Sequence, residues 1–293
     1  MANVAAHLIL GGRPEPFLGA LLASLEGVVQ RVIVNDNAAD ASMHALALES
    51  AWCARDGALV VDRTPFSDFS SARNICLELH RKYGAGEWVA FVDADDVHGR
   101  EARTIASHLD RVPEKILAVD GYNWHFFQAF DLYTSIERRM MFFRFDPALR
   151  WVGKVHERLV GCADVRTVLP YVYPHYGHVL PVRRFAEKGR HYSSLGQPGE
   201  VVPEEELDHL ESGIFFAEFW SKLLRFRGKH PEVAAAAIAT LRAELAQQER
   251  VAHEMVRASQ TLAVRIQNAL RQANYNQRWV SRWLNPLAWQ LLR

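Results

Sequence analysis

The sequence predicts an α/β fold in which helices flank a central, mostly parallel sheet. Three short segments have the length and apolar content of buried strands: His7 to Leu10, Arg31 to Val34 and Trp88 to Val92. Each ends in glycine or in polar residues that include aspartate. Since a right-handed β-α-β crossover brings the carboxyl ends of parallel strands to one edge, we expect these residues to meet there.

The remaining elements of the first two-thirds of the chain follow from the same two periodicities. Apolar residues at helical spacing predict helices at Phe17 to Val29, at His44 to Arg55, through Leu77 and Leu79, and after Gly99. Short apolar or alternating runs predict strands at Ala58 to Val61, Ile116 to Tyr122, Arg138 to Arg144 and Val168 to Tyr173. Such alternation of strands and helices is typical of α/β proteins.

The composition is that of a globular protein and excludes several classes. Of 293 residues, 49% are hydrophobic, and the 34 basic and 34 acidic residues give a formal charge of zero, so we expect no nucleic-acid partner. The three cysteines, Cys53, Cys76 and Cys162, lack CxxC spacing. They argue against a disulfide framework and structural zinc, and favour a reducing compartment. With no leader pattern and no apolar run of membrane length, we expect a cytoplasmic protein.

The turn after the first strand has the sequence Gly-Gly-Arg-Pro and ends the strand abruptly. Glycines such as Gly12 let the backbone approach a ligand closely, and Arg13 could meet a phosphate or a carboxylate. The alternative is a tight turn into the first helix that contacts no ligand. Further along, Arg73 and Asn74 lie in the first turns of a helix and could point back toward the sheet edge. An ordinary helix start is the alternative there.

The most informative feature is the acidic cluster after Trp88 to Val92. Asp93, Asp95 and Asp96 place three carboxylates within four residues at the end of a buried strand. Carboxylates this close repel one another unless a cation lies between them, and hard oxygen ligands suit Mg²⁺ or Mn²⁺ shared with the phosphates of a substrate. A solvated acidic turn or a helix cap is the alternative.

Taken together, these segments resemble the family 2 glycosyltransferases of the GT-A fold, a Rossmann-like fold. The resemblance rests on the order of the Gly-Gly-Arg turn, NDNAAD, FSDFSSARN, WVAFVDADD and RWVGKVHERL, and covers roughly residues 5 to 195. It is strongest for the branch that includes bacterial lipopolysaccharide-core and polysaccharide transferases. It implies an inverting, metal-dependent transfer of a sugar from a nucleotide-diphosphate sugar, with UDP-sugar favoured, to a hydroxyl of a glycan or glycolipid.

The resemblance also implies roles for residues at the donor. Asp36 would lie by the base and Arg73 near the diphosphate, with Asn74 beside it. Asp93 and Asp95 would be the DxD pair that binds ribose and metal. The turn NDNAAD departs from the family pattern, which has an acidic pair followed by Gly-Ser-Thr-Asp, so base recognition stays open.

A second group of candidates comes from the later motifs. RWVGKVHERL matches the family pattern Trp-x-Gly-x-Val-His-Glu, and a His-Glu pair has the chemistry for general-base work or metal support. We therefore expect Glu157 to accept the proton of the acceptor hydroxyl, with His156 as its catalytic neighbour. The fold commonly supplies a late histidine as a metal ligand, for which His175 is the first choice and His178 the second.

Basic and aromatic residues in this half each have two interpretations. A basic run could neutralise a diphosphate or form a solvated helix face; it contains Arg183, Arg184, Lys188 and Arg190. Aromatic residues could line an acceptor groove or belong to the core; they are Trp124, Phe127 and Tyr133.

The composition changes after about residue 197, so we expect a GT-A domain at 1–197 and a helical region at 198–293. Helices are predicted at His209 to Arg227 and from Glu232 toward Ala273. In the second, an apolar seam of three- and four-residue spacing from Ile238 to Ala269 predicts a homo-oligomer or a helical hairpin. The final stretch, Arg278 to Arg293, is rich in Trp and Arg and predicts peripheral membrane contact, a dimer contact or packing on the first domain.

Two other functions are compatible with these patterns. A catalytically inactive GT-A module could bind glycan or assemble a complex, although the acids and the His-Glu pair favour an enzyme. A sugar-phosphate nucleotidyltransferase is less well supported, because Pro14, Glu15 and Pro16 occupy the place of a longer glycine-rich loop that carries a lysine.

Overall fold

A computed structural model describes residues 2–161, 166–197 and 217–283, and its main feature is a central sheet of eight strands. Two further strands, β7 and β8, form a separate hairpin within these residues. The strands are β1 (Val4–Leu10), β2 (Arg31–Asp36), β3 (Leu59–Asp62), β4 (Trp88–Phe91), β5 (Ala118–Phe127), β6 (Leu132–Arg144), β7 (Arg150–Val152), β8 (Arg158–Val160), β9 (Arg166–His178) and β10 (Leu224–Arg225).

The strand order is β3-β2-β1-β4-β6-β5-β9, with β10 beside β6. Strands β1 to β4 are mutually parallel, β6 runs antiparallel to its neighbours, and β5 pairs with β9 in parallel. The predicted α/β class with a mostly parallel sheet is confirmed. The chain moves outward from β1 to β3 and then returns to the other side of β1 with β4. The connections after β1 and β4 therefore diverge, which opens a crevice at their carboxyl ends.

Helices cover the sheet on both faces, and three more of the described helices follow the last described strand in the chain. They are α1 (Leu18–Leu25), α2 (Ala45–Ser50), α3 (Trp52–Arg55), α4 (Phe69–Tyr83), α5 (Glu101–Ala106), α6 (Val182–Ser194), α7 (Ala217–Trp220), α8 (Ala235–Glu244), α9 (Ala246–Ser259) and α10 (Leu262–Trp283). None of the described helices is both long and apolar enough to cross a membrane.

Helix α4 shows how local sequence positions the site. The Asp68 side chain accepts a hydrogen bond from the Ser71 backbone N–H at 2.8 Å, which satisfies one free donor at the helix start. The helix ends at Gly84 in the left-handed conformation, with φ of 55°. Its buried face carries Cys76 and Leu77 against the sheet, and it also carries Arg73 toward the carboxyl edge of the strands. The cap confirms the ordinary helix start, and the same helix still delivers Arg73 to the crevice.

The C-terminal helices differ from the prediction. The first part of the helix expected at His209 to Arg227 lies outside the described residues, and α7 ends at Trp220. Leu224 and Arg225 pair with β6 instead, because β4 pairs only with residues 142–144 of β6 and leaves the rest of that edge free. The helix expected from Glu232 is wrong as a single element, since it consists of α8, α9 and α10.

The predicted apolar seam divides at these helix breaks. Ile238, Leu241 and Leu245 are buried in one cluster with Phe126 and Phe130, next to the sheet. Leu262 and Ile266 on α10 are 73% and 54% exposed. Thus the first half of the seam packs within the chain. A boundary near residue 197 stays a prediction, and the described residues on its two sides share this core.

We expect Leu241→Ala to lower the free energy of unfolding by about 2–5 kcal/mol, because it leaves a cavity in this cluster. Leu262→Ala is the matched control, which should change the free energy by no more than about 0.5 kcal/mol because the side chain is 73% exposed. Urea denaturation followed by circular dichroism measures both. Equal effects of the two substitutions would contradict the described packing.

Candidate functional site

The crevice contains a cavity of about 770 Å³ at the carboxyl ends of β1 and β4. Its wall combines the turn after β1, the acids after β4, the end of β9, one face of α6 and the loop between β7 and β8. The site residues that were expected on five separate segments therefore converge on one cavity, apart from Asp36 and Asn74.

Asp96 anchors the acidic turn. Its side chain is buried, its Oδ2 accepts a hydrogen bond from the Asp93 backbone N–H at 3.0 Å, and its Oδ1 lies 2.9 Å from Nδ1 of His175. Asp95 is partly exposed, and its Oδ1 lies 3.1 Å from the same nitrogen. Burial disfavours the charged imidazole, yet Asp95 and Asp96 raise the pKa of His175 to about 10. Burial also opposes ionisation of Asp95, but the His175 charge holds the pKa of that carboxyl well below its usual range.

These three residues fit a divalent cation. The ligand atoms of Asp95, Asp96 and His175 all lie within 4.8 Å of one another. Nδ1 of His175 makes its hydrogen bond with Asp96, so Oδ1 of Asp95 is buried without a hydrogen bond among the described residues although it lies 3.1 Å from that nitrogen. A Cβ on Gly177 would lie 2.5 Å from Oδ2 of Asp95 and 2.7 Å from Nε2 of His175, so glycine leaves room above the cluster. Carboxylate oxygens with one imidazole suit Mn²⁺ or Mg²⁺.

Asp93 faces a different set of groups. Arg73 Nη2 donates to its Oδ1 at 2.7 Å, and Arg139 Nη2 donates to its Oδ2. Burial opposes its ionisation, but Arg139 and Arg73 keep the pKa of Asp93 well below the usual range. The shared metal of Asp93 and Asp95 stays a prediction, and the cluster of possible ligands contains Asp96 rather than Asp93. The two side chains diverge from the turn, and Asp96 takes the place of Asp93 beside His175.

Arg73 connects Asp93 with Glu157. Its guanidinium is buried, lies 4.2 Å from the centre of the Phe91 ring, and donates from Nε to Oε1 of Glu157 at 2.5 Å. Arg73 therefore bridges Glu157 and the acidic turn. Glu157 lies closer to that turn than its position in a separate sequence motif predicted. His156, the residue before it, is exposed and adopts φ of 55°, a left-handed conformation that is uncommon for a non-glycine residue. Both residues line the cavity.

Arg139 is a site residue that the sequence argument missed. It lies next to Arg138 on β6, and neighbouring residues of a strand point to opposite faces. Arg138 pairs with the buried Asp120 at 2.6 Å, whereas Arg139 reaches Asp93 and lies 3.4 Å from Oδ2 of Asp96. The paired arginines were visible in the sequence, but only the pairing of β6 with β4 places one of them beside the acids.

Asp36 and Asn74 do not line the cavity. The Asp36 carboxylate is fully buried, accepts a hydrogen bond from Arg63 at 3.0 Å and lies 2.9 Å from Nδ1 of His44. The Asn74 amide makes two hydrogen bonds with the backbone of Trp151, at 3.0 Å and 2.8 Å. Both side chains therefore hold neighbouring segments in place.

The turn after β1 lines the cavity with Gly12 and Arg13, whose contact with a donor stays a prediction. No atom lies within 4 Å of a Cβ built on Gly12, so packing does not require glycine there and access remains open. Glu15 in the same turn was missed. Burial, and then the charge of Asp95, raise the pKa of Glu15 to about 7. Arg13 lies 3.9 Å from it and partly offsets this shift.

Helix α6 contributes the basic wall. Arg184 and Lys188 line the cavity, and His191 and Tyr192 follow them at helical spacing. The other two members of the predicted basic run, Arg183 and Arg190, are not part of the lining. A helix presents residues four apart on one face, so half of the basic run faces the cavity.

Comparisons with known proteins find similarity over part of the chain. No family model matches the chain. A stretch of 91 residues is 31% identical to the SPbeta prophage-derived glycosyltransferase SunS of Bacillus subtilis (strain 168), and equally to glycosyltransferase SunS of Bacillus phage SPbeta. It spans 31% of this chain and only 20% of those proteins. The match is too short to assign their activity to this chain.

Two solved structures are also similar. The mannosyltransferase PcManGT from Pyrobaculum calidifontis, in complex with GDP-Man and Mn²⁺, aligns with a TM-score of 0.40 and 15% identity over 98% of this chain and 85% of that chain. The 1–349 fragment of S. aureus TarS aligns with a TM-score of 0.39 and 14% identity over 94% of this chain and 91% of that chain.

The two neighbouring acids should differ in their effect on stability. We expect Asp96→Ala to lower the free energy of unfolding by about 3 kcal/mol, because it removes buried hydrogen bonds to a charged group. Asp95→Ala should cost less than about 1 kcal/mol, because it also relieves repulsion between carboxylates. Urea denaturation at neutral pH with a chelator measures both, and a larger loss for Asp95→Ala would contradict the anchoring role of Asp96.

Proposed function

We propose that the protein transfers a sugar from a nucleotide-diphosphate donor, preferably a UDP-sugar, to a hydroxyl of a glycan or glycolipid, with inversion at the anomeric carbon and with Mn²⁺ or Mg²⁺. One observation carries the proposal. Asp95 and His175 of the cluster with the buried Asp96 line one cavity at the switch point of the sheet, together with the basic side chains of Arg184 and Lys188. A metal-bound diphosphate needs both kinds of group. The similarity of part of the chain to a glycosyltransferase supports this reading.

Different residues of the cavity would bind different parts of the donor. A cation held by Asp95, Asp96 and His175 would neutralise the departing diphosphate. Lys188 and Arg184 would bind phosphate oxygens from helix α6. Asp93 is held as a carboxylate by its two arginines and would accept hydrogen bonds from ribose hydroxyls.

Glu157 is our candidate for the general base, and its hydrogen bond with Arg73 limits which carboxylate oxygen can accept a proton. Its Oε1 is tied to Arg73, so its Oε2 would have to accept the proton of the acceptor hydroxyl. The Arg73 contact orients the carboxylate. His156 on the exposed turn before it would contact the acceptor.

A thermal-shift screen of nucleoside diphosphates with and without Mn²⁺ tests donor binding. We expect UDP to raise the free energy of unfolding by about 2.7 kcal/mol at about 100 times its Kd, only when Mn²⁺ is present. Asp95→Ala should abolish this shift and sugar transfer while leaving the fold intact, and Asp56→Ala on the surface is the control. The cation assignment would be wrong if Asp95→Ala kept normal turnover with Mn²⁺. The function would be wrong if no nucleoside diphosphate bound.

For Glu157→Gln we expect turnover to fall by about 10²–10⁴-fold, the usual contribution of a positioned base, with donor affinity nearly unchanged. Glu187→Gln changes a carboxylate of the same cavity wall and should have a small effect. Steady-state kinetics gives turnover, and calorimetry with UDP and Mn²⁺ gives affinity. A collapse of donor binding would assign Glu157 to the donor site through Arg73. Full activity would exclude it as the base.

A second candidate is a catalytically inactive module that binds glycan. The complete burial of Asp36 favours it, since the residue expected at the base is engaged by Arg63 and His44. Donor hydrolysis in the presence of Mn²⁺ separates an enzyme from such a module.

Self-association, membrane contact and a cytoplasmic location are part of the same proposal. The remaining basis for a homo-oligomer is the exposed stripe of Leu262, Ile266 and Leu270 on α10. Peripheral membrane contact would involve the Trp- and Arg-rich segment 278–293. Residues 284–293 and the side chains of 276–283 lie outside the described part of the chain.

A further inference from the structure

Three histidine rings meet where β5 and β9 end. His125 and His175 are directly paired across the two strands, and their ring centroids are 4.8 Å apart. The ring of His178 lies 6.0 Å from each of them. One nitrogen of each ring lies within 4.8 Å of the others, and the cluster opens on the cavity.

A β-bulge brings the third ring to the group. Phe127 pairs with His178, so β9 holds one more residue than β5 between this pair and the pair of His125 with His175. In a regular strand, residues three apart point to opposite faces. The extra residue in the bulge turns His178 back toward the face that carries His175.

The polar contacts around the rings leave one nitrogen of each ring available to a metal. Nε2 of His125 lies 3.4 Å from the Glu137 carboxylate, which leaves its Nδ1 with the lone pair. Nδ1 of His175 bonds to Asp96, which leaves its Nε2. A carboxylate behind a histidine is the usual support of a metal ligand. Neither ring nitrogen of His178 has a hydrogen-bond partner among the described residues.

We propose that His125, His175 and His178 form a second cation site, which takes Zn²⁺. Three imidazoles with an open fourth position suit Zn²⁺ and offer no oxygen ligands to Mn²⁺ or Mg²⁺. The scattered cysteines argue only against a cysteine-bound zinc, and this site needs none. Its fourth position faces the cavity, where water or a ligand oxygen can bind.

The two cation sites compete through His175. A cation beside Asp95 and Asp96 takes Nδ1, whereas Zn²⁺ takes Nε2 on the other side of the ring. A neutral imidazole has one lone pair, so it can serve only one of the two ions at a time. Zn²⁺ therefore displaces the cation that the proposed transfer needs, and this last consequence rests on the proposed function.

Calorimetric titration with Zn²⁺ and with Mn²⁺ separates the sites. We expect His178→Gln to weaken Zn²⁺ binding at least about 10-fold and to leave Mn²⁺ binding unchanged. Asp95→Asn should do the reverse. His191→Gln removes another histidine of the cavity wall and should change neither affinity. Zn²⁺ should also weaken Mn²⁺ binding to the native chain, and much less so in His178→Gln.

X-ray absorption of the native chain loaded with Zn²⁺ identifies the atoms that coordinate the ion without the use of a variant. Three imidazole nitrogens at about 2.0–2.1 Å are expected. A first shell dominated by oxygen, unchanged Zn²⁺ affinity in His178→Gln, or equal Zn²⁺ loss in Asp95→Asn would overturn the site. Simultaneous binding of both ions would overturn the competition. None of these measurements requires sugar transfer, so they test the Zn²⁺ site independently of the proposed function.

Discussion

The contact between Asp96 and His175 is the constraint on which the rest of the site depends. It joins the turn after β4 to the end of β9, although β6 and β5 lie between these strands in the sheet. Backbone hydrogen bonds reinforce it, from Tyr176 N–H to the Asp95 carbonyl at 3.0 Å and from Val97 N–H to the Pro174 carbonyl at 3.2 Å. The acidic turn is therefore held at both ends, and its carboxylates keep fixed positions although they repel one another.

From this contact a row of alternating charges extends across the cavity floor. Each group lies within 4 Å of the next, in the order Glu157, Arg73, Asp93, Arg139, Asp96, His175, Asp95. Removing an inner member of the row leaves its neighbours as partly buried, unpaired charges, which is more costly than removing an exposed ion pair. The row keeps the pKa values of Asp93 and Asp95 below the usual range before any ligand arrives, and it leaves the outer carboxylate, Asp95, at the cavity.

Local patterns predicted the features that depend on neighbouring residues. The apolar run before Asp93 indicated a buried strand, and the switch of strand order placed its end in a crevice. Features that depend on pairing between distant strands were not predicted. The position of Arg139 depends on the register of β6, and the histidine cluster depends on the bulge in β9. The apolar seam shows the same limit, because helical spacing does not distinguish a partner in the same chain from one in another. The sequence also does not reveal that Arg63 and His44 enclose Asp36.

The packing of α8 on the sheet also matters while the chain is being made. Phe126 and Phe130 lie in the middle of the sequence, yet Ile238, Leu241 and Leu245 cover them from far downstream. At synthesis rates of about 5–20 residues per second, the intervening chain of roughly 110 residues takes about 5–20 s to follow. During that interval the growing polypeptide displays an uncovered aromatic surface. An exposed aromatic surface of this kind favours binding of a chaperone to the ribosome-bound chain. This holds although the parallel strands β1 to β4 have already been synthesised.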